Sequence, residues 1–256
     1  MKRVLIVNAD DCNLTRGVTR AILEGHDTGI ISSTTFMANL PVESWTVREL
    51  TKRKNLGLGI HLNITFSKPV SKAGNVKSLI AANGNFRKLA GQILKLPRTS
   101  QVLEEYTAQI HRFKTIFGFL PDHLDTHHQI HDHPFFWPIL AETAKKFRLP
   151  LRRSSLMLQS KWNQSPPFSP EFTFGNLTAE GYWRPAPLEA ILRNLPEGIS
   201  EIMCHPGICD AELKSLSSFT SGREAERKLF RSPSLRRLLQ SSGIVLGRYA
   251  SALCYT

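Results

Sequence analysis

Short β-branched runs alternate with helical patterns along this chain, and that alternation constrains the fold more than any other feature. Val4-Leu5-Ile6-Val7 is a continuous apolar run closed by Asn8-Ala9-Asp10-Asp11, the pattern of a strand buried on both faces. Thr15 is placed to cap a helix that carries Val18, Ala21 and Ile22 and ends near Gly25 or Gly29. Residues 30–37 read as a second strand, 44–53 as a helix and 56–65 as a third strand. A loop over 67–85, rich in Gly, Asn, Ser and Lys, precedes helical patterns at 86–96 and 100–117 on either side of Pro97. A strand at 122–129, a helix at 134–147 and a strand near 150–157 follow. Residues 158–186 hold Pro166, Pro167, Pro170 and Pro185 with little periodicity and predict a structured loop. A helix at 187–195, a strand at 199–204, a basic helical region at 221–241 and a strand at 243–248 complete the pattern. Neither repeat nor linker interrupts it, so residues 1–256 are expected to form a single α/β domain. Parallel strands with helical crossovers make either a barrel or a doubly wound sheet, and about 250 residues is an ordinary barrel length.

Composition excludes several classes. With 41% hydrophobic residues the chain is too apolar to be disordered, yet it has no apolar run of the roughly 18 residues that span a membrane. Four scattered cysteines without a CxxC pair argue against a disulfide framework or a zinc finger and suit a reducing compartment. Met1-Lys2-Arg3 leads into only four apolar residues, too few for a signal-peptide core, so a cytoplasmic location is expected. The net charge is +12, and residues 50–103, 143–170 and 227–256 contain no carboxylate at all. Such stretches suit an anionic partner, or else an ordinary basic surface. Helix-turn-helix, zinc-finger and RNP patterns are missing, which argues against nucleic acid. The region from Arg223 to Arg237, with Leu229, Phe230, Leu235, Leu238 and Leu239, is a candidate for peripheral contact with an anionic membrane. A homodimer is compatible with the sequence.

Chemistry concentrates in a few segments. Five of the nine histidines fall within residues 123–133. In an extended strand His123, Asp125, His127, Gln129 and His131 share a face, but residues four apart lie roughly 13 Å from each other and cannot hold one ion together. One or two would then bind metal while the others line the site; a helical reading lacks the Glu of HExxH, and a polar surface loop is the bland alternative. On the strand 56–65, Gly57, Gly59, His61 and Asn63 share a face, so backbone approaches closely there before a polar tip; a lone core histidine competes with a ligand. Asp10-Asp11 ends the first strand, on the rim where parallel α/β folds build active sites. A turn there lets one carboxylate bind a cation and the other act as base, against an acid pair that merely starts a helix. His205, before Pro206-Gly207, ends another strand, and Arg152-Arg153 could hold a carboxylate, bind substrate or decorate the surface. Two imidazoles and one carboxylate with open positions make a hydrolytic metal site.

Asn8-Ala9-Asp10-Asp11, residues 59–65, residues 124–131 and Cys204-His205-Pro206-Gly207 resemble, in order and spacing, the YdjC-like carbohydrate deacetylases. That family includes chitooligosaccharide deacetylases and hopanoid-biosynthesis-associated deacetylases. The similarity runs from Val4 to Tyr249 and implies a single-domain distorted (β/α) barrel akin to NodB-type polysaccharide deacetylases. It also implies a divalent ion, Mg2+ or Zn2+, held by Asp11, His61 and His127, with Asp10 as catalytic base. His205 matches the family's HPG histidine and Asp125 the acid before the ligand histidine. Asp125, Arg152, His131 and Asn63 are expected as supporting or substrate-binding residues. One departure stands out: the family continues Asp-Asp with Phe-Gly, whereas Cys12-Asn13 follow here, where Asn tolerates a positive φ and Cys12 could narrow the pocket or sensitise it to oxidation.

The activity so implied is hydrolysis of an N-acetyl group from an amino sugar, free or lipid-linked. Asp10 would take the proton of water, His205 would protonate the leaving amine, and Asp125 would orient His205 or Asp10 or support a ligand. The His2Asp set suits zinc, cobalt or nickel, while the resemblance also allows magnesium. A metal-dependent hydrolase of a sugar phosphoester or lactone, and a basic binding protein without catalysis, are the competing readings.

Overall fold

The structure, a computed structural model, describes residues 2–87, 96–153, 168–175 and 181–252. In chain order its strands are β1 (Arg3–Cys12), β2 (Ser33–Phe36), β3 (Gly57–Leu62), β4 (Leu124–Thr126), β5 (Phe172–Phe174), β6 (Gly198–Cys204) and β7 (Ile244–Gly247). Its helices are α1 (Arg16–Thr28), α2 (Ser44–Lys52), α3 (Thr99–Phe117), α4 (Phe136–Phe147), α5 (Pro185–Arg193), α6 (Ala211–Leu216), α7 (Ser221–Phe230), α8 (Pro233–Ser241) and α9 (Tyr249–Ala252). The strand order is β4-β3-β2-β1-β6-β5, with β7 also paired to β1. This is the α/β class expected, a parallel sheet with helical connections in the manner of a distorted (β/α) barrel. Among the described residues, no helix is long and apolar enough to cross a membrane.

Two compact units can be distinguished, residues 1–36, 44–59 and 170–256 in the first, and 37–43 and 60–169 in the second. In the first, β1 is central. One edge pairs in parallel with β6 from Arg3 to Ala9; β7 takes residues 3–6 and β2 takes residues 8–12. Residues 4–12 are all buried, which is why its first part, Val4-Leu5-Ile6-Val7, reads as continuously apolar instead of alternating. Helix α1 starts as the sequence predicts, with Thr15 Oγ1 accepting from Val18 N at 3.0 Å, and Val18, Ala21 and Ile22 face the core. The basic region 221–241 is two helices, because Pro233 cannot continue α7 and instead opens α8. Its apolar residues Phe230, Leu235 and Leu239 are buried within this unit. Three elements of this unit went unanticipated: β5, whose three residues lie in the stretch read as a loop, the six-residue α6, capped by Asp210, and the four-residue α9.

In the second unit β3 and β4 pair in parallel, with His61 opposite Asp125. Helix α3 packs on α4 and buries Val102, Tyr106, Ile110 and Phe113, and it ends at Gly118 in the left-handed conformation (φ 81°). The strand expected over 122–129 stops at Thr126. His128 (φ 58°) and Gln129 (φ 48°) are left-handed, so residues 127–132 turn tightly as a 3-10 segment instead of extending. The shared strand face proposed for residues 123–131 therefore does not exist beyond Asp125. Of the strand expected near 150–157, Leu151 makes a single bridge to Leu124, and residues 154–157 lie outside the described residues. Residues 88–95 of the helical pattern at 86–96 lie outside them too.

Candidate active site

In the first unit the site begins where β1 stops being regular. Adjacent strand residues point to opposite faces, so two neighbouring carboxylates converge only if the backbone turns. The pairing of β1 with β2 slips between Ala9 and Cys12, and Asp11 (φ 64°) and Asn13 (φ 74°) adopt left-handed conformations. Asp and Asn tolerate that region better than other non-glycine residues. Leu14 N donates to Asp11 O at 2.9 Å and Asn13 N to Thr19 Oγ1 at 3.1 Å, which locks the turn. Asn13 thus takes the positive φ expected of it. Cys12 is fully buried, and burial pushes its thiol up to about 12. A protonated, enclosed thiol is inert, so the expected sensitivity to oxidation does not follow.

Asp10 and Asp11 are both buried. Asp10 Oδ1 accepts from Asn8 Nδ2 at 2.9 Å, and Oδ2 lies 3.8 Å from His205 Nε2. The register makes this pairing: Ala9 stands opposite Cys204, so the next residue of each strand faces the other. Asp11 Oδ2 accepts a charge-assisted hydrogen bond from the buried Arg223 Nη2 at 2.6 Å. Behind His205, the buried Glu226 accepts from His205 N and from Trp183 N, the latter at 3.1 Å. Burial pushes the Glu226 carboxyl up to about 7, against the lowering effect of those two N–H donors.

In the second unit His61 Nδ1 bonds Asp125 Oδ1 at 2.6 Å, and Arg152 Nη2 meets Asp125 Oδ2 at 2.9 Å. All three are buried. Burial alone would raise the Asp125 pKa, but the Arg152 guanidinium and the His61 imidazole hold it well below the ordinary carboxylate range. An ionised Asp125 accepts the Nδ1 proton of His61 and leaves Nε2 with a lone pair. Asp125, expected to orient His205 or Asp10 or to support a ligand, thus supports His61, and Arg152 holds a carboxylate in place. His127 Nδ1 lies 3.3 Å from His61 Nε2. Two nitrogens bound tetrahedrally to one ion at about 2.0–2.1 Å lie roughly 3.3–3.4 Å apart, so the imidazoles stand at ligand spacing.

The other histidines of the cluster have separate tasks. His128 stacks on His127 with centroids 3.9 Å apart and bonds Thr65 Oγ1 at 2.9 Å. The Thr126 hydroxyl bonds His131 at Nδ1 (2.6 Å) and at its backbone N–H (3.2 Å), pinning the 3-10 turn. His123 is buried against Asp122. Asn63 Oδ1 accepts from the N–H groups of Thr65 and Phe66, and its Nδ2 donates to Phe66 O and Asn39 Oδ1. Asn63 therefore shapes the turn after β3.

Asp11, His61 and His127 are all buried and form one group of side chains that could hold a metal ion. Asp10, His61 and Asp125 form a second such group, but there Asp125 is already committed to His61 Nδ1 and Arg152. The first group is the better donor set: one carboxylate oxygen and two neutral imidazole nitrogens suit a borderline divalent ion. Arg223 and Glu226 were not anticipated from the sequence. The only available signal was a pair of opposite charges three residues apart, which reads as a solvated helix face.

A family model described as YdjC-like protein matches residues 4–241. A carbohydrate deacetylase of Geobacillus stearothermophilus is 32% identical over 250 residues, 97% of this chain and 98% of its own. A chitooligosaccharide deacetylase of Yersinia enterocolitica is 32% identical over 265 residues, covering 98% of this chain and 99% of its own. Among solved structures, a protein of Enterococcus faecalis V583 named as a candidate for cellobiose-phosphate cleavage superposes with a TM-score of 0.85 at 26% identity, covering 98% of this chain and 99% of its own. A Streptococcus mutans CE4 esterase matches with a TM-score of 0.54 at 14% identity, over 96% and 86%, a likeness of fold.

Proposed function

We propose, from the premise that this chain belongs to the YdjC-like protein family, that it is a metal-dependent carbohydrate deacetylase hydrolysing an N-acetyl group on an amino sugar. The observation that carries the reading is the buried donor set of Asp11, His61 and His127 together with the Asp10–His205 pair. The named activities of the two curated relatives support the substrate class.

Asp11, His61 Nε2 and His127 Nδ1 would hold the ion, which when bound polarises the acetamide carbonyl and acidifies water. Asp125 keeps the Nδ1 proton on His61, so that Nε2 remains a ligand. Asp10 is the general base: Asn8 fixes Oδ1, and the carboxylate takes a proton from the attacking water. His205 Nε2, facing Asp10 Oδ2, delivers a proton to the amine nitrogen as the C–N bond breaks. Water thus supplies the hydroxyl of the acetate and the proton of the amine. Burial of Asp10 and Asp11 excludes bulk water from the carboxylates and strengthens their electrostatic action.

The test is acetate release from N-acetylated amino-sugar oligomers by protein stripped with chelator and reloaded with Zn2+, Co2+ or Mg2+. Wild type should depend on added metal, and Asp10→Asn should lose turnover while still binding metal. Release of phosphate from a sugar phosphate, without acetate from any N-acetyl sugar, would replace the reading with phosphoester hydrolysis.

A further inference from the structure

Helix α7 sends two side chains from one turn to the ends of two neighbouring strands. Residues three apart on a helix share a face. From that face Arg223 Nη2 reaches Asp11 Oδ2 at the end of β1 (2.6 Å), and the Glu226 carboxylate receives the N–H of His205 just past β6. The contact is deeper than two hydrogen bonds. Gly207 N donates to Arg223 O at 3.1 Å, and a Cβ on Gly207 would stand 3.2 Å from both Cβ and Cδ of Arg223. The loop from His205 to Gly207 therefore lies close along the stem of Arg223, and a side chain at Gly207 would press on that stem and on Val18. Glu226 also binds Trp183 N, and Trp183 Nε1 donates to Met203 O at 2.7 Å, so the same carboxylate is tied to the last residues of β6. Arg223 and Glu226 are buried, and buried polar groups are retained only where they are hydrogen-bonded.

We propose that Arg223 and Glu226 are positioning residues, the first for Asp11 as a metal ligand and the second for His205 as proton donor. The proposal rests on the deacetylase reading above. Arg223 engages one carboxylate oxygen of Asp11 and fixes the orientation of the group, so Asp11 meets a cation as a single-oxygen ligand. Glu226 acts on the backbone of His205, and so fixes where Nε2 stands relative to Asp10. The two effects separate: one belongs to metal affinity, the other to turnover at full metal loading.

Four variants test this: Arg223→Met, Arg223→Lys, Glu226→Gln and Glu226→Asp. Folding is checked by circular dichroism, Zn2+ affinity by calorimetric titration of stripped protein, and kcat and KM with an N-acetylated sugar at saturating metal. Arg223→Met should weaken Zn2+ binding about 10–100-fold, as loss of a partner behind a ligand does. Arg223→Lys should recover part of it, since an ammonium keeps the charge but not the planar fork. Glu226→Gln presents one acceptor to two N–H donors, and should lower kcat about tenfold or more with KM and Zn2+ affinity within twofold of wild type. Glu226→Asp, which keeps both oxygens, should fall between. Wild-type Zn2+ affinity in folded Arg223→Met, or wild-type kcat in folded Glu226→Gln, overturns the proposal. If either of those variants fails to fold, its conservative partner decides by the same criteria. A wild-type protein that binds no metal or releases no acetate instead refutes the deacetylase reading, so the two failures are distinguishable.

Discussion

Replacing Asp125 by Asn isolates the role of the carboxylate behind His61. In the native chain Asp125 is shared between His61 Nδ1 at 2.6 Å and Arg152 Nη2 at 2.9 Å, all buried. Asparagine keeps the shape and one acceptor but removes the negative charge that faces the Arg152 guanidinium. Removing one member of a buried pair costs about 3–5 kcal/mol, against a typical total stability of about 5–15 kcal/mol, so the variant should fold but melt early. The amide also relaxes the tautomer of His61, because its NH2 can face Nδ1 and drive the proton to Nε2, the ligand atom. Loss of such a partner weakens metal binding about 10–100-fold, or roughly 1.4–2.8 kcal/mol. Calorimetric titration of stripped protein with Zn2+, and thermal melts with and without Zn2+, read the two effects apart. The pH dependence has a definite sign. Asp125 is held below its ordinary value, so its stabilisation is present above the unfolded pKa of about 3.9 and is lost only as pH falls through the lower folded value. Acidification to pH 5 should therefore not mimic Asp125→Asn through this residue. If folded Asp125→Asn bound Zn2+ as tightly as wild type and kept its melting temperature, the carboxylate would not be orienting His61, and the ligand role of Nε2 would lose its basis.

Glu226 titrates with the opposite sign. Its folded pKa of about 7 exceeds the unfolded value, so the stability it contributes is complete below about pH 4.3 and lost as pH rises through 7, by about 3 kcal/mol in total. The melting temperature of wild type should thus fall more steeply from pH 5 to 8 than that of Glu226→Gln, and equal slopes would show that Glu226 does not hold the proton. Gly29→Ala would put a Cβ 1.8 Å from Phe230 O and 2.5 Å from Arg231 Cα, both backbone atoms that cannot swing away. A loss of about 1–3 kcal/mol is expected, read by calorimetry, and an unchanged melting temperature would contradict that close approach.

Much of the fold was legible because hydrophobic periodicity survives wherever an element is long. The apolar run Val4–Val7, which became the first part of β1, and the face of Val18, Ala21 and Ile22 on α1 were read in this way. Short elements carry too few residues for a period to register, and β5 and α6 were missed for that reason. The strand predicted over 122–129 failed differently. Its alternation of polar residues fits a strand as far as Asp125, but His128 and Gln129 adopt left-handed conformations that no side-chain pattern announces. That turn also removes a difficulty. In an extended strand His123 and His127 stand too far apart for one ion; in the folded chain His127 is instead 3.3 Å from His61, on another strand.

The site divides along the same line. Asp10, Asp11, His61 and His205 were singled out because strand ends, short motifs and ligand-type residues are local signals, whereas the choice of His127 among its neighbours came from the family resemblance. Arg223 and Glu226 were not, and the reason is instructive about charge. Both sit in a strongly basic helical region, and a basic amphipathic helix suggests solvent or a membrane surface. Folding spends its apolar face on the core, through Phe230, Leu235 and Leu239, and spends Arg223 on a buried carboxylate. Arg152, in a stretch without acids, meets the buried Asp125 in the same way. A buried carboxylate stays ionised only if a nearby cation offsets its desolvation, and that cation must come from a distant part of the chain when its neighbours are apolar. Part of the excess of Lys and Arg therefore has an internal purpose: two arginines from acid-poor or basic segments pair with the buried Asp11 and Asp125, one beside a proposed ligand and one behind another. Net charge counted along a sequence cannot separate such arginines from those at the surface, because the distinction lies entirely in what each one meets after folding.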